Sequence, residues 1–184
     1  MPPTDLALLD QAFAWTSARI SAVAPADLDQ PTPCSRWDLR ELLTHTMATL
    51  TAFPDALGEG PAPEDLRPIG PSSWDRTIAE VAARSLAAWA RPDAMDATLE
   101  MPFATLPAPI AISANLLEAV VHGWDIGQAT GEGVEIPEPL AVPILAFARQ
   151  AIGPDGRGDQ FAADLGLGDS PAEQLVAYLG RKPR

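Results

Sequence analysis

The sequence predicts an all-α protein, an up-and-down four-helix bundle with additional C-terminal helices. Apolar residues recur at three- and four-residue steps over several long segments, as they do on the buried face of a helix. The 20 prolines divide the 184 residues into blocks and mark where these segments begin and end. Together the two patterns predict helices over residues 5–23, 37–57, 72–90, 108–130, 139–151 and 171–179.

Capping residues and loop composition delimit the first three predicted helices. Thr4 is a suitable N-cap for the first helix, and Ser35-Arg-Trp-Asp38 is similar to a capping box at the start of the second. Residues 58–71 are rich in proline and glycine and are expected to form a loop, after which Ser72 or Ser73 opens the third helix. The apolar sides of these helices are expected to carry Leu6, Leu9, Phe13, Ile20, Leu39, Leu42, Leu43, Met47, Leu50, Ile78, Val81, Leu86 and Trp89.

The second half of the chain begins with a change of pattern. Residues 96–107 form short extended pieces interrupted by proline, which predicts a covering loop or an edge hairpin. The fourth helix is the longest and is expected to stop at Gly131, which can take the left-handed conformation. Pro143 is expected in the first turn of the fifth helix, and the polar, glycine-rich residues 153–168 precede the short last helix.

The chain has one composition throughout, which predicts a single domain over residues 1–184. The core bundle is expected over about 4–131 and a C-terminal extension over about 132–184. Because 47% of the residues are hydrophobic and 20% charged, the chain is expected to be globular and to have an apolar core.

Charge and cysteine content exclude several classes of function. The net charge of −13 repels phosphate backbones and anionic lipids, so we expect no nucleic-acid partner and no membrane association. The chain has no stretch of about 18 apolar residues, unbroken by charge or proline, that could span a bilayer. With Cys34 as the sole cysteine and no signal-peptide pattern at the N-terminus, we expect a cytoplasmic protein.

The fourth predicted helix carries a stripe of polar side chains. Glu118 and His122 are four residues apart, so their side chains lie on one face within reach of one ion. Asn115 and Asp125 extend this stripe at three-residue steps. A polar stripe inside an apolar helix requires partners.

His45 on the second predicted helix is a candidate third ligand. It has Asp38 and Glu41 near its own face and can point into the bundle. Two histidines and one glutamate would form a three-ligand site with an open position, the arrangement of a catalytic zinc, and nickel or iron(II) could also bind. The alternative is that each histidine is a hydrogen-bonded core or boundary residue without a metal.

These segments resemble a known family. Thr32-Pro-Cys-Ser-Arg-Trp37, Leu39-Arg-Glu-Leu-Leu-Thr-His45 and Glu118-Ala-Val-Val-His122-Gly-Trp-Asp125, with Ala129-Thr-Gly131, are similar to motifs of the DinB-like superfamily. The branch they resemble is the metal-binding domain of mycothiol-dependent maleylpyruvate isomerase and its short actinobacterial relatives. The resemblance spans about residues 6–131 and implies that His45, Glu118 and His122 hold a divalent metal, with zinc preferred.

The resemblance also implies a reaction that uses a thiol, but it does not imply the reaction of the isomerase itself. A metal in this bundle could bind a low-molecular-weight thiol, lower its pKa and present a thiolate, and the family suggests mycothiol as that thiol. The isomerase continues into a C-terminal domain that contributes to its active site, and this chain ends at Arg184, so maleylpyruvate isomerisation itself is not implied. We therefore expect a thiol-dependent transferase or isomerase acting on a small-molecule substrate, as a monomer or homodimer. The alternatives are a non-catalytic small-ligand-binding or dimerisation bundle and a bundle that has lost its metal.

The remaining polar and aromatic residues are expected to have lesser roles. Asp125 is a candidate hydrogen-bond acceptor that orients a ligand histidine or a metal-bound water, the alternative being a residue that faces solvent or an arginine. Cys34 is expected to be a small buried residue rather than a nucleophile. Trp37 and Trp124 are expected to pack around the site mouth or the core, and Glu132, Glu135 and Glu138 to lie in a solvated loop.

Overall fold

The protein is a helical bundle with one small hairpin, seen here in a computed structural model that describes residues 3–59, 71–102, 104–153, 157 and 161–183. The all-α prediction is confirmed. The elements are α1 (Pro3–Ser21), α2 (Leu39–Pro54), α3 (Pro71–Trp89), β1 (Thr98–Met101), β2 (Ala104–Pro107), α4 (Ala108–Ala129), α5 (Glu138–Ala151) and α6 (Pro171–Tyr178).

Four helices surround one core. Helices α1 and α2 each pack on both α3 and α4, while α5 packs on α1, α4 and α6. The largest fully buried side chains come from all four bundle helices and the segments next to them, and include Leu9, Phe13, Leu39, Leu42, Leu43, Leu50, Phe53, Ile78, Trp89, Leu99, Ile126 and Leu140. No helix among the described residues is both long and apolar enough to cross a membrane.

Helix α2 begins later than its predicted start at Trp37. The N-cap is Asp38, whose carboxylate accepts from the Glu41 backbone N–H while the Glu41 carboxylate accepts from the Asp38 N–H. Ser35 is therefore not the cap. The Thr32 hydroxyl bonds the carbonyls of Cys34 and Trp37 and keeps the preceding segment as a loop.

Two other predicted starts differ from the structure. Thr4 lies inside α1 rather than capping it, because the helix begins at Pro3, a residue suited to the first helical position. Pro143 lies in the second turn of α5, where the helix lacks the hydrogen bond that another residue would donate. The predicted loop over 58–71 falls largely on residues 60–70, which lie outside the described residues.

The extended segment forms the predicted edge hairpin rather than a loop. Strands β1 and β2 pair antiparallel, with Leu99 opposite Leu106, and Leu99 and Met101 are buried against the bundle. The hairpin leads directly into α4, whose C-terminus is followed by Gly131 at a φ of 78°, as the sequence predicts.

Helices α1 and α4 approach each other closely at Gly123. A Cβ atom there would lie 2.7 Å from the Trp15 ring and 2.8 Å from Thr16 Oγ1. The buried Thr16 hydroxyl donates to the carbonyl of Ala119 at 2.8 Å. This contact holds α4 at a fixed distance from α1 and leaves the opposite face of α4 turned toward α2.

Candidate metal centre

A partly enclosed cavity of about 180 Å³ lies between α2 and α4 and is closed by the C-terminal residues. Its polar wall is formed by His45, Glu118 and His122. Its other lining residues come from the loop before α2, from both helices and from the tail, namely Cys34, Arg36, Trp37, Thr49, Leu117, Val121, Phe161 and Arg181.

His45, Glu118 and His122 each offer one ligand atom, and the three atoms lie within 4.8 Å of one another. The Glu118 Oε2 atom is 3.1 Å from Nε2 of His122 and 3.9 Å from Nε2 of His45. Ligands about 2.0–2.1 Å from a tetrahedral metal are separated by roughly 3.4 Å. The observed separations fit such a site with small side-chain adjustments.

Glu118 provides an independent test of the fit. Its Oε2 atom is buried and accepts no well-directed hydrogen bond from the residues that the structure describes. Its polar neighbour is Nε2 of His122 at 3.1 Å, which is not aligned for a good hydrogen bond, and a metal cation held by both atoms would replace that contact. The two imidazole nitrogens and this oxygen are donors that zinc, nickel and iron(II) accept.

His122 is held from its other side by Asp125. The Asp125 Oδ2 atom lies 3.3 Å from Nδ1 of His122, so that Nε2 faces Glu118 and the cavity. Asp125 is fully buried and accepts from the Arg181 guanidinium, through Nε at 2.8 Å and Nη2 at 2.7 Å. An aspartate on the far nitrogen of a ligand histidine orients the ring and selects its tautomer.

The charges of the site shift the pKa values of its members. Burial alone would lower the pKa of His122, but the carboxylates of Asp125 and Glu118 outweigh it and raise that pKa to about 9. Burial opposes ionisation of Glu118, yet the neighbouring histidines and Arg181 hold its pKa below the usual range. Burial and the adjacent His122 charge lower the pKa of His45.

Trp37 positions the His45 ring. The centroids of the two rings are 4.2 Å apart, and the rings of His45 and His122 meet edge-on at 5.0 Å. The Thr49 hydroxyl lies 3.4 Å from Nε2 of His45, one turn along α2. Asp38 and Glu41, expected near the face of His45, are used instead by the N-cap of α2.

The polar stripe of α4 divides into two parts. Glu118 and His122 line the cavity and Asp125 contacts His122, whereas Asn115 lies elsewhere in the core. Asn115 is buried away from the cavity and donates to the Ser85 hydroxyl of α3 at 3.0 Å. Trp124 is also buried away from the cavity, near the residues that follow α4. Glu132, expected in a solvated loop, pairs with Arg19 at 2.8 Å.

Several lining residues were not identified as functional by sequence reasoning. Cys34 is half-buried in the cavity wall, and burial raises the pKa of its thiol. Phe161 and Arg181 reach the cavity from the tail, more than 35 residues after His122. In the sequence Arg181 is one basic residue near the end of a chain with many acidic residues, and nothing in the pattern shows that it pairs with Asp125.

Comparisons with known proteins show what this chain is similar to. The profile of the mycothiol maleylpyruvate isomerase N-terminal domain matches residues 9–127. Two uncharacterised proteins of Mycobacterium tuberculosis, from strains CDC 1551 / Oshkosh and ATCC 25618 / H37Rv, are each 32% identical over 172 residues, which is 91% of this chain and 92% of theirs.

One solved structure shares the fold. It is a histidine-to-alanine mutant of mycothiol-dependent maleylpyruvate isomerase, with a TM-score of 0.59 and 19% identity. The match covers 77% of this chain and 66% of that chain. At this identity the likeness establishes the helical architecture.

Proposed function

Because this chain belongs to the mycothiol maleylpyruvate isomerase N-terminal domain family of DinB-like proteins, we propose that it is a metal-dependent enzyme that uses mycothiol in a transfer or isomerisation reaction. The observation that carries the proposal is the convergence of His45, Glu118 and His122 on one wall of a cavity. Zinc is the preferred metal.

In this proposal each lining residue has a defined task. His45, Glu118 and His122 hold the metal, and Asp125 keeps the Nδ1 proton of His122 so that Nε2 is free to bind. A divalent metal at this position supplies a Lewis acid that keeps a bound thiol as thiolate and leaves it ready to attack an electrophilic carbon.

The cavity determines how much of the thiol can enter. At about 180 Å³ it admits the thiol end of mycothiol, while the sugar portion contacts the mouth. Trp37, Phe161 and Val121 give the cavity apolar walls that exclude water from the sulfur. We do not propose maleylpyruvate as the substrate, because the match covers 66% of the isomerase at 19% identity.

Calorimetry with mycothiol and zinc-loaded protein tests the proposal. Repeating the titration in two buffers of different ionisation enthalpy measures proton release, because the buffer takes up the thiol proton. We expect close to one proton released per thiol bound at neutral pH, since the free thiol pKa is about 8.5. An alcohol analogue in which oxygen replaces sulfur is expected to bind more weakly and to release no proton.

The controls separate thiolate binding from general affinity for the sugar. Protein stripped of metal should bind mycothiol weakly and without proton release. If zinc-loaded protein does not bind mycothiol, or binds it with no proton release, the thiolate mechanism is wrong. A non-catalytic ligand-binding bundle would then be the better description.

A further inference from the structure

The cavity is completed by the C-terminal segment, defined here as residues 161–183. Phe161 at its start and Arg181 near its end both line the cavity. Helix α6, between them, packs on α5 and lies far along the chain from the histidines. One wall of the candidate metal centre therefore depends on the docking of a segment outside the four-helix core.

Arg181 is anchored on the centre rather than on the surface. Its side chain is 6% exposed, and its Nε and Nη2 atoms donate to the fully buried Asp125 carboxylate. Its Nη1 atom donates to the carbonyl of Leu179. Each charge of this buried pair is satisfied mainly by the other, so removing one leaves the other costly.

The backbone before Arg181 is shaped for this contact. Gly180 has a φ of 78°, and a Cβ atom there would lie 2.5 Å from the Cβ of Ala162. Arg157 closes the same turn by donating to the carbonyls of Ala162 and Tyr178, at 2.8 and 2.7 Å. The chain therefore reverses tightly after α6 and directs Arg181 at Asp125.

We propose that Arg181 is a positioning residue that holds His122 in its ligand orientation through Asp125, so that metal binding and docking of the C-terminal segment are coupled. This inference rests on the proposed function, in which His122 binds the metal. Because coupling between two binding events is reciprocal, loss of Arg181 weakens metal binding, and bound metal in turn strengthens docking of the segment.

A double-mutant cycle tests the route through Asp125. Zinc affinity is measured by competition with a chromophoric chelator for the wild type, Arg181→Gln, Asp125→Asn and the double variant. We expect Arg181→Gln to weaken zinc binding by about tenfold to 100-fold in the wild-type background, as for other residues that support metal ligands. In the Asp125→Asn background the same change should weaken zinc binding by less than about threefold, because the Asp125 carboxylate through which Arg181 acts is already absent.

Arg149→Gln is the matched control. Arg149 of α5 donates to Gln174 of α6 at 3.3 Å, so it also contacts the C-terminal segment, but it does not touch Asp125. We expect its zinc affinity to equal that of the wild type. The visible spectrum of bound cobalt(II) adds a readout of ligand geometry, and it should change in Arg181→Gln and remain unchanged in Arg149→Gln.

Hydrogen exchange on the wild type needs no variant and covers the case in which Arg181→Gln fails to fold. Zinc is expected to slow exchange of the backbone amides of residues 172–182 relative to metal-free protein. Equal exchange with and without zinc, additive effects in the cycle, or an equal loss of affinity in Arg149→Gln would each overturn the coupling while leaving the metal site in place. A wild-type protein that binds no zinc would instead remove the proposed function, and this inference with it.

Discussion

At the scale of single residues, the candidate metal centre is built around Glu118 and His122. Both lie on one face of α4, and the buried Oε2 of Glu118 has no well-directed hydrogen-bond donor among the described residues. His122 has a carboxylate on each side of its ring. The site thus places a buried carboxylate oxygen 3.1 Å from an imidazole nitrogen whose ring is held on its other side by Asp125.

Glu118→Gln tests the carboxylate as a ligand without changing its shape. We expect the zinc content of protein purified without chelator or nickel resin to fall well below one per chain, because an amide oxygen is a weak zinc ligand. His122→Ala should have the same effect. The measurement is metal analysis by mass spectrometry.

Glu135→Gln is the control, since Glu135 is exposed and lies outside the cavity. It should keep the zinc content of the wild type. Full zinc occupancy in Glu118→Gln, His122→Ala and His45→Ala alike would show that these residues are not the ligands.

At the scale of secondary-structure elements, two local features determine how α2 and α4 are placed. Asp38 begins α2 and thereby determines where His45 falls along the helix axis. Gly123, one residue after His122, lets α4 lie against α1 with the face that carries Glu118 and His122 turned to α2. Both act through backbone geometry, and neither contacts the cavity.

Asp38→Ala is expected to lower the free energy of unfolding by about 1 kcal/mol, because the first-turn amide of Glu41 loses its acceptor. The measurement is urea denaturation followed by circular dichroism. Ser35→Ala is the paired control, since Ser35 is exposed and does not cap the helix. It should change stability by less than about 0.5 kcal/mol. A larger loss in Ser35→Ala than in Asp38→Ala would restore Ser35 as the cap.

Gly123→Ala is expected to destabilise the protein by about 1–3 kcal/mol, because the added methyl group overlaps the Trp15 ring and the Thr16 hydroxyl. Thermal and urea denaturation both measure this. Gly153→Ala is the matched control, since a Cβ atom there meets nothing within 4 Å and its φ is ordinary. Equal stability of the two variants would contradict the close approach of α1 and α4.

The whole molecule combines a helical core with a tail that reaches back to the centre. The cavity is bounded by α2, α4 and the C-terminal segment, so its properties depend on all three. Its electrostatics are also collective, because Asp125 and Glu118 raise the pKa of His122 against the effect of burial, while Arg181 and His122 keep the pKa of the buried Asp125 below its usual range.

Opposite pH dependence is expected for the stability of the metal-free protein and for the additional stability that zinc binding supplies. Since the folded pKa of His122 is raised to about 9, metal-free protein gains stability from this proton below pH 6.5 and loses it as the pH rises through 9. Zinc must displace the same proton, so its affinity and the increase in melting temperature it produces should grow over that range. Melting curves from pH 6.5 to 9, with and without zinc, measure both.

His122→Gln provides the control for this pH dependence, because it removes the titrating group and one ligand. Its metal-free melting temperature should depend less on pH than that of the wild type, and zinc should raise it little at any pH. A zinc-induced increase that stays constant from pH 6.5 to 9 in the wild type would contradict displacement of a histidine proton.

The sequence by itself determined the features that depend on neighbours within a few residues. Helix periodicity predicted six helices with starts and ends close to those observed, and the spacing of Glu118 and His122 placed both on one face of α4. Such patterns are reliable because the helix repeat is local. The choice of Ser35 over Asp38 as the cap of α2 was wrong because both serine and aspartate can cap, and the local loop geometry selects between them.

The tertiary structure decided which distant residues share the cavity. His45 could be named as a candidate, but its 3.9 Å separation from Glu118 follows from how α2 packs on α4. Arg181 lies 56 residues after Asp125, and no periodicity in the chain relates the two. Folding of the tail onto the bundle removes the carboxylate and the guanidinium from water, and the two then pair because either charge would be costly if it were buried alone.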